Sequence, residues 1–371
     1  MVVLIILSLL VILHEIGHLA AAWWLKLRVE EFGLGYPPRA RKLFTWKGTD
    51  FTLNWIPFGG FVRLWGEEAG DENSSQAFAR RPVWQRLIVM LAGPGINFLA
   101  ALILFGLVFS IGGLPRSLKE IPRVNSVVVD SPAAQAGILP HDNLVGFLPT
   151  TASSAAELIS VTKISQVQEF VQAHRGETWT VKLQGPCQKL ECTADFREAT
   201  LYLRTAAETP SDQGAMGIAF REYELEFFPW YQMPFRGMWF GLQQTIELTG
   251  LMLGELRTIV VKLVSGQGVS SSVAGPIGIV HQAEQTGIAR GGWLTLLNFA
   301  AVISLNLAVM NILPIPALDG GRATLALAEL VVGKRRVDRV EGYVNYGGFI
   351  LLLSLLVLIS FRDVWQIWIS R

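Results

Sequence analysis

Two histidines and a glutamate, His14, Glu15 and His18, are the residues of this sequence whose types and spacing point most directly to chemistry. Histidines four positions apart lie on one face of an α-helix, one turn above the other. That spacing lets both imidazoles bind one metal ion, and zinc is the metal that a His-Glu-x-x-His helix indicates. A glutamate between them can accept a proton from the attacking water and deliver it to a leaving amine. The sequence therefore predicts a metal-dependent hydrolytic site.

This segment lies inside an apolar stretch, with residues 2–13 on one side and residues 19–25 on the other. Ionisable side chains in a hydrophobic span each raise the free energy of membrane insertion, by up to about 3 kcal/mol. Three of them in one span are therefore costly without a function, and this favours a metal site. The alternative is a helix in a soluble core whose histidines are hydrogen-bonded.

The composition is that of a membrane protein with water-exposed parts. Of the 371 residues, 51% are hydrophobic and 16% are charged, and the mean hydropathy is +0.40, whereas soluble domains have about 25% charged residues. The formal net charge of +1 gives no reason to expect a polyanionic partner, and we expect no nucleic acid. The two cysteines, Cys187 and Cys192, are compatible with a short-loop disulfide or with two free thiols.

Apolar stretches divide the chain into membrane spans and connecting regions. No Lys or Arg precedes Lys26, so the first stretch lacks the basic start of a signal peptide and is predicted to be a retained transmembrane helix. The predicted segments are transmembrane helix one (1–25), a cytosolic membrane-associated β-hairpin region (26–86), helix two (87–111), a globular domain (112–220), an extracytoplasmic interfacial amphipathic segment (221–292), helix three leading to an Asp-Gly motif (293–318), a cytosolic loop (319–342), and helix four with the C-terminus (343–371).

The region after the first span contains a predicted hairpin. Residues 43–46 and 51–55 are predicted to be short strands joined by a turn. Gly59 and Gly60 follow, and a glycine pair lets backbone approach another group closely. Two interpretations stay open: an amphipathic hairpin on lipid headgroups, or a sheet edge that captures an extended substrate by strand addition.

Two further polar residues stand within or beside later spans. Asn97 follows Gly93 and Pro94, and small residues in a span commonly pack helices together, so we favour a structural role for this segment. Asp319 follows two prolines, and irregular backbone at membrane depth is tolerated only in a protein interior or beside a wet cavity. Alone, Asp319 would be interpreted as a plain helix end. Because the histidine pair lacks a third ligand, we favour Asp319 as that ligand.

Loop charges decide whether these residues can meet. Lysines and arginines are concentrated in residues 26–86 and 319–343, and the positive-inside rule places both loops in the cytosol. The long region between spans two and three then lies outside, so the first and third spans run in the same direction. The topology therefore predicts that His14, His18 and Asp319 lie at similar depth in the cytosolic half of the membrane.

Several stretches carry a resemblance to a known family. In chain order they are His14-Glu15-x-x-His18, residues 58–62 (FGGFV), 93–97 (GPGIN), 275–278 (GPIG) and 311–320 (NILPIPALDG). With them the chain resembles the site-2 protease family of intramembrane zinc metalloproteases, in its regulator-of-sigma-E-protease-like bacterial branch with a PDZ domain. The site residues that this resemblance implies are the zinc ligands His14, His18 and Asp319, the catalytic base Glu15, and the substrate-binding residues Asn311, Gly59 and Gly60.

The resemblance extends to the globular region 112–220. Residues 131–144 look like the helix and turn of a circularly permuted PDZ domain. His141 stands where that pattern has glycine, and residues 148–162 look like an insertion. Two roles therefore stay open for this domain: peptide binding, or only the steric exclusion of bulky substrates.

Together these features predict an α-helical polytopic protein of a bacterial inner membrane, with four transmembrane helices, a membrane-associated β-hairpin and one extracytoplasmic α+β PDZ domain. The resemblance implies regulated intramembrane proteolysis within the lipid bilayer. Its substrates would be single-span membrane proteins that a site-1-type protease has trimmed, such as an anti-sigma factor or a remnant signal peptide. The alternative is a non-catalytic membrane scaffold that binds peptides through the PDZ domain. A metal transporter is not supported, because the other spans carry no matching charged ligands.

Overall fold

The computed structural model describes residues 2–67, 77–118, 122–150, 158–185, 187–188, 191–192, 195–210, 213–221, 223–265, 275, 278, 281, 288 and 291–369. They form two compact units, one from Gly113 to Pro229 and one from the chain on either side of it. Here the first is called the inserted unit and the second the membrane unit. Each unit is described by itself.

Long helices dominate the membrane unit because its sequence holds long apolar runs. They are α1 (Val2–Trp24), α2 (Val83–Gly112), α5 (Met233–Val264), α6 (Trp293–Ile312), α7 (Asp319–Val332) and α8 (Lys334–Ile369), numbered in chain order. Within the described part of the chain, α1, α2, α6 and most of α8 are long and apolar enough to cross a membrane. The four predicted apolar helices are thereby confirmed, although the fourth begins at Lys334 rather than at residue 343.

The hairpin after α1 is longer than the sequence indicated. Strands β1 (Val29–Trp46) and β2 (Thr49–Leu64) form a two-stranded antiparallel sheet. The predicted strands at 43–46 and 51–55 cover only its end next to the turn. Register shifts interrupt the pairing throughout the rest of the sheet. Such irregular pairing removes the regular alternation by which a strand is recognised in sequence.

A buried carboxylate ties the hairpin together. Glu31 is only 4% exposed, and it pairs with Arg39 at 2.7 Å and with Arg63 at 3.3 Å. The Thr52 hydroxyl also donates to it at 2.8 Å. Burial raises the pKa of the Glu31 carboxyl, but the hydrogen bonds from Arg39 and Thr52 and the nearby arginine charges outweigh burial. The pKa of Glu31 therefore lies below its ordinary value.

Small residues let α1 and α2 approach closely, as is common between membrane helices. A Cβ atom at Gly17 would collide with the backbone of Ala92 on the neighbouring helix. An apolar cluster then joins the surrounding elements, with Leu19 from α1, Phe32 from β1 and Ala323 from α7 among its buried members. The end of α1 that carries His14 and His18 is therefore packed among α2, the hairpin and α7.

Helix α5 packs along α2 through small residues. A Cβ atom at Gly237 would collide with Ser110, and one at Gly241 would collide with Gly106. The interfacial location predicted for residues 221–292 stays a prediction. Of the GPIG stretch within this region, Pro276 and Ile277 lie outside the described residues.

Residues 319–342, predicted to be a cytosolic loop, instead hold α7 and the start of α8. The Asp-Gly-Gly sequence at the start of α7 is typical of turns, which conceals the helix. Here the glycines serve a packing role. A Cβ atom at Gly320 would collide with the carbonyl of Ile312, and one at Gly321 would collide with the carbonyl of Ile315. The first turn of α7 is thus pressed against the segment that follows α6.

The inserted unit is an α+β structure. Its elements are β3 (Leu114–Ser117), β4 (Val124–Val127), α3 (Pro132–Gln135), β5 (Asn143–Pro149), β6 (Ile159–Ser160), α4 (Ile164–Ala173), β7 (Thr178–Gln184), β8 (Cys187–Gln188), β9 (Glu191–Cys192), β10 (Phe196–Tyr202), β11 (Ile218–Phe220) and β12 (Tyr223–Glu226). The largest sheet has the order β10-β7-β5-β6, and β3-β12, β4-β11 and β8-β9 form two-stranded pairs. A separate apolar core contains Phe147, Val167 and Leu183, each fully buried.

Three predictions fall within this unit. His141 has a φ of 74°, a left-handed conformation that favours glycine, which is the residue that the resembled PDZ pattern has at this position. Residues 151–157 of the predicted insertion lie outside the described residues. The backbone pairs Cys187 with Cys192 across β8 and β9, and both the disulfide and the free thiols stay predictions.

Candidate active site

The structure brings His14, His18 and Asp319 together in the membrane unit, from helices separated by about three hundred residues of chain. Nε2 of His14 lies 3.0 Å from Oδ2 of Asp319 and 3.1 Å from Nε2 of His18, and the third side of this triangle is 3.4 Å. Helix periodicity places the two imidazoles one turn apart, with ring centroids 4.8 Å apart and ring planes at 78° to each other. The start of α7 supplies the carboxylate.

The spacing of these three atoms fits one zinc ion. Ligand atoms about 2.0–2.1 Å from a tetrahedral zinc lie about 3.3 Å from each other. The observed separations of 3.0 to 3.4 Å therefore match a common tetrahedral centre. Three protein ligands leave one position open, which is the arrangement of catalytic zinc sites.

The second ring nitrogen of each histidine tests this fit independently. Nδ1 of His18 donates to the carbonyl of Val89 at 2.7 Å, which leaves Nε2 free for a metal. Nδ1 of His14 lies 3.3 Å from Nδ2 of Asn97, while the buried Oδ1 of Asn97 has no partner among the described residues. A half-turn of the Asn97 amide exchanges these two atoms and satisfies both the orphan oxygen and an Nδ1–H of His14. With that orientation of the Asn97 amide, both histidines have the outer hydrogen bonds expected of zinc ligands.

Gly93, within the apolar helix α2, has a steric role at the site. A Cβ atom at Gly93 would collide with Nε2 of His18 and would lie 2.7 Å from Nε2 of His14. Only glycine lets the backbone of α2 pass so close to both rings. The backbone oxygen of the nearby Asn97 accepts a hydrogen bond from Ser304 on α6 at 2.8 Å. The packing role predicted for this stretch and a role at the site therefore coincide.

Glu15 lies beside the three ligands in a cleft of about 170 Å³. The other side of the cleft is formed by β2, where a Cβ atom at Gly60 would lie 3.3 Å from Cγ of Glu15. Gly59 has a φ of 74°, and a Cβ atom there would lie 2.6 Å from the ring of Tyr36. Gly60 thus lets strand backbone run directly past the glutamate, whereas Gly59 lies against Tyr36 and is absent from the described residues that line the cleft.

The Asp319 carboxyl is held in its charged form. Burial raises its pKa, but the hydrogen bonds with His14 and His18 and the charges of those histidines outweigh burial. The pKa of Asp319 therefore lies well below its ordinary range, and the group is a carboxylate, the form that binds metal.

Not every predicted site residue reaches the cleft. Asn311 is half-buried in the last turn of α6 and is absent from the described residues that line the cleft. Its predicted contact with substrate stays a prediction. Sequence reasoning also missed three residues: Asn97 as a partner of His14, and Glu67 and Arg322, which line the cleft as an ion pair. The presence of an asparagine inside an apolar span could have indicated a role for Asn97 at the site. Nothing in the sequence indicates that Glu67 and Arg322 form an ion pair.

The fold and the site define a class of protein: a membrane-spanning protein with the ligand set and neighbouring carboxylate of a zinc metallopeptidase. The model of peptidase family M50 matches residues 2–355, and the chain belongs to this family, that of the site-2 proteases. It is a site-2-type intramembrane zinc metalloprotease.

Similar proteins over the whole length carry the printed name "Putative zinc metalloprotease". One from Clostridium perfringens is 32% identical over 364 residues, covering 96% of each chain. One from Clostridium acetobutylicum is 28% identical over 361 residues, covering 96% of this chain and 94% of that protein. One from Fusobacterium nucleatum is 28% identical over 367 residues, covering 99% and 98%. The predicted family, enzyme class and zinc cofactor are confirmed, while the roles of single residues stay predictions.

Proposed function

We propose that this protein cleaves peptide bonds within the transmembrane segments of membrane proteins, with His14, His18 and Asp319 as zinc ligands and Glu15 as the base. The observation that carries the proposal is the meeting of three ligand atoms within 4.8 Å of one another in a cleft that also contains Glu15. Zinc, when bound, polarises the scissile carbonyl and the attacking water. Everything else in the reaction falls to residues of this chain.

Glu15 is placed to move the proton. Its carboxylate accepts a proton from the attacking water and then donates one to the nitrogen of the breaking amide bond, which leaves as an amine. The backbone at Gly60 keeps this side of the cleft narrow. Asn97 and the Val89 carbonyl hold the two imidazoles in fixed orientations, so little rearrangement is needed during the reaction.

Two surfaces support access by a membrane substrate. An apolar cavity of about 620 Å³ lies between α1, α2 and α6 and ends at Leu13 and Ile96, the neighbours of His14 and Asn97. On the other side of the cleft, residues of β2 offer strand backbone. A substrate helix must unwind before hydrolysis, and pairing with a strand would replace its lost hydrogen bonds. We therefore favour substrate capture by strand addition over a hairpin that only rests on lipid headgroups.

The proposed location is the bacterial inner membrane, with residues 112–292 outside and the active site in the cytosolic half. One contact supports the orientation of the last span. Asp363, near the end of α8, accepts hydrogen bonds at 2.9 Å from the backbone of Gly275 and of Gly278. The end of the fourth span and the segment before the third span therefore lie together, as the topology requires.

A matched pair of variants tests the proposed chemistry. Glu15→Gln is nearly isosteric but cannot accept the proton, so it should retain zinc and lose about a hundred- to ten-thousandfold in cleavage of a model transmembrane substrate. Glu30→Gln, a control on the nearby hairpin, should retain both. Substantial turnover by Glu15→Gln would exclude Glu15 as the base. A wild-type protein that binds peptides but cuts no membrane substrate would favour the scaffold alternative.

For the inserted unit we propose a PDZ fold that excludes substrates still carrying a bulky external domain, so that a site-1-type protease must act first. His141, which stands where the PDZ pattern has glycine, and the insertion that the sequence predicts at residues 148–162 support exclusion over peptide binding. Ser117 and Tyr223 pair across β3 and β12, so a short linker can replace residues 122–220. The shortened protein should cut an untrimmed substrate that the intact protein ignores. If it cuts only the trimmed substrate, exclusion resides elsewhere.

A further inference from the structure

Helix α7, which carries Asp319, is held by an ion pair at each end. In its first turn, Arg322 pairs with Glu67, which follows β2. In its last turn, Glu329 pairs with Arg86 in the first turn of α2. The second pair is the more buried, with side chains 9% and 12% exposed, against 31% and 20% for Arg322 and Glu67. The less buried pair is the one next to the site.

The Glu67–Arg322 pair stands between two spaces. Both residues line the cleft that holds His14, Glu15 and Asp319. Both also line a second cavity, of about 610 Å³, whose other described lining residues include Lys334 and Asp338. Open space therefore lies on either side of Arg322. Among the described residues, the side-chain contact that holds it is the ion pair with Glu67.

Arg322 and Asp319 are three residues apart on a helix and therefore share a face, one turn apart. The tight seating of Gly320 and Gly321 fixes where α7 begins, but rotation of its first turn also decides where the Asp319 carboxylate points. Zinc ligands need this direction to be accurate to a few tenths of an ångström. An anchor one turn from Asp319 controls that rotation far more directly than an anchor at the other end of the helix.

We propose that Arg322 is a positioning residue for zinc binding: held by Glu67, it fixes the first turn of α7 so that Asp319 stays at ligand distance from His14 and His18. The proposal rests on the proposed function, because it takes Asp319 as a ligand. It also connects the strand that would receive substrate to the metal site, since Glu67 continues the chain from β2. The pair would thus hold β2 and the first turn of α7, which form two walls of the cleft, in a fixed relative position.

The experiment compares the two ion pairs of α7. Glu329 is ten residues beyond Asp319, about 15 Å along the helix axis, so Glu329→Gln provides the matched control. The zinc dissociation constant of purified protein is measured by competition with a chelator, and the thermal midpoint is measured on the same samples. Arg322→Gln and Glu67→Gln should each weaken zinc binding by about 10- to 100-fold, the effect typical of groups that orient ligands.

Glu329→Gln should lower the thermal midpoint at least as much as Arg322→Gln or Glu67→Gln does, because it leaves a buried arginine unpaired. It should nevertheless change zinc affinity less than twofold. The double variant Glu67→Gln/Arg322→Gln should bind zinc no worse than either single variant, since both remove one connection. Arg322→Lys, which keeps the charge, should recover part of the affinity.

Three outcomes would overturn the proposal. Unchanged zinc affinity in Arg322→Gln and Glu67→Gln would show that the pair does not position Asp319. Equal losses in Glu329→Gln would show that any loosening of α7 has the same effect. Additive losses in the double variant would mean that the residues act separately. A wild-type protein without stoichiometric zinc would instead overturn the proposed function itself, and this inference with it.

Discussion

The two units of this protein differ in what their buried polar groups do. In the membrane unit, polar side chains converge from distant parts of the chain on one point, where three ligand atoms lie within 4.8 Å of one another. In the inserted unit, the described residues contain no such cluster. Its buried Asp142 accepts a hydrogen bond from the backbone of Leu139 and pairs with Arg197, contacts that stabilise the fold. The candidate ligand cluster thus lies in the membrane unit, whereas the buried Asp142 of the inserted unit serves the fold.

This difference shows how a protease within a membrane can be built. Ionisable groups in an apolar span are costly, so they are few and each has a defined partner. The inserted unit has no such constraint and stabilises itself by burying residues such as Phe147 and Leu183. It follows that damage to one unit should leave the specific property of the other intact. Two of the four measurements below test this separation, and the other two test which residues of the membrane unit belong to the metal site.

The largest effect is expected at the histidines. His14→Ala removes a ligand, and stoichiometric zinc should be lost from the purified protein, together with activity. His174→Ala is the control, because His174 lies in the inserted unit and its ring stacks on Phe170. The control should keep its zinc. Metal analysis of both variants checks the expectation, and full zinc content in His14→Ala would mean that the site is misassigned.

The next effect comes from two glycines on the same helix. At Gly93 a methyl group would collide with both histidine rings, whereas at Gly95 it meets nothing within 4 Å. Gly93→Ala should therefore weaken zinc binding at least tenfold and reduce cleavage accordingly. Gly95→Ala should change zinc affinity less than twofold. Similar zinc affinities for the two variants would contradict the close approach of α2 to the site.

A substitution in the other core tests the independence of the units. Phe147 is fully buried and stacks on Phe170 with ring centroids 4.0 Å apart. Phe147→Ala should destabilise the inserted unit by about 3–5 kcal/mol, seen as faster proteolysis within residues 113–229. Zinc content should not change. Loss of zinc would show that the membrane unit depends on the inserted one.

The smallest effect is expected at Glu31, a carboxylate that stabilises the hairpin and does not belong to the candidate metal site. Because the pKa of Glu31 is lowered in the folded protein, its pairing stabilises the fold fully above the unfolded pKa of about 4.3 and loses this contribution as pH falls through the folded pKa. Glu31→Gln should therefore lower the thermal midpoint in detergent at pH 7. The difference from wild type should shrink below pH 4, without any change in zinc content at pH 7. A constant difference would exclude this linkage.

Much of the site could be predicted from the sequence because it depends on local rules. Helix periodicity places His14 beside His18, and the predicted direction of the spans brings Asp319 to the same end of the helices, where the structure has the three residues together. The partners of these residues could not be predicted in the same way. Asn97 meets His14 across 83 positions and Glu67 meets Arg322 across 255, and such pairs depend on how helices are rotated against each other. Local composition does not determine that rotation.

The fold shows the same division between local and long-range information. Long apolar helices were recognised because each is set by its own residues. The hairpin was underestimated because its register shifts and its buried Glu31 break the alternating pattern. Helix α7 was taken for a loop because the glycines that seat it against Ile312 and Ile315 are also turn formers. In both places, contacts with other elements override the local preference.

The pairing of β3 with β12 bears on how this chain could have acquired its inserted unit. The two strands bring the entry and exit of more than a hundred residues side by side. Because the inserted chain enters and leaves through two paired strands, it closes a loop in the way that a short hairpin does. The conformational entropy of closing this loop hardly depends on the residues within it. A domain of another size or fold could stand in the same place at little thermodynamic cost to the helices. If the inserted unit excludes substrates as proposed, exchange of the insert would change substrate selection and leave the candidate zinc ligands unchanged.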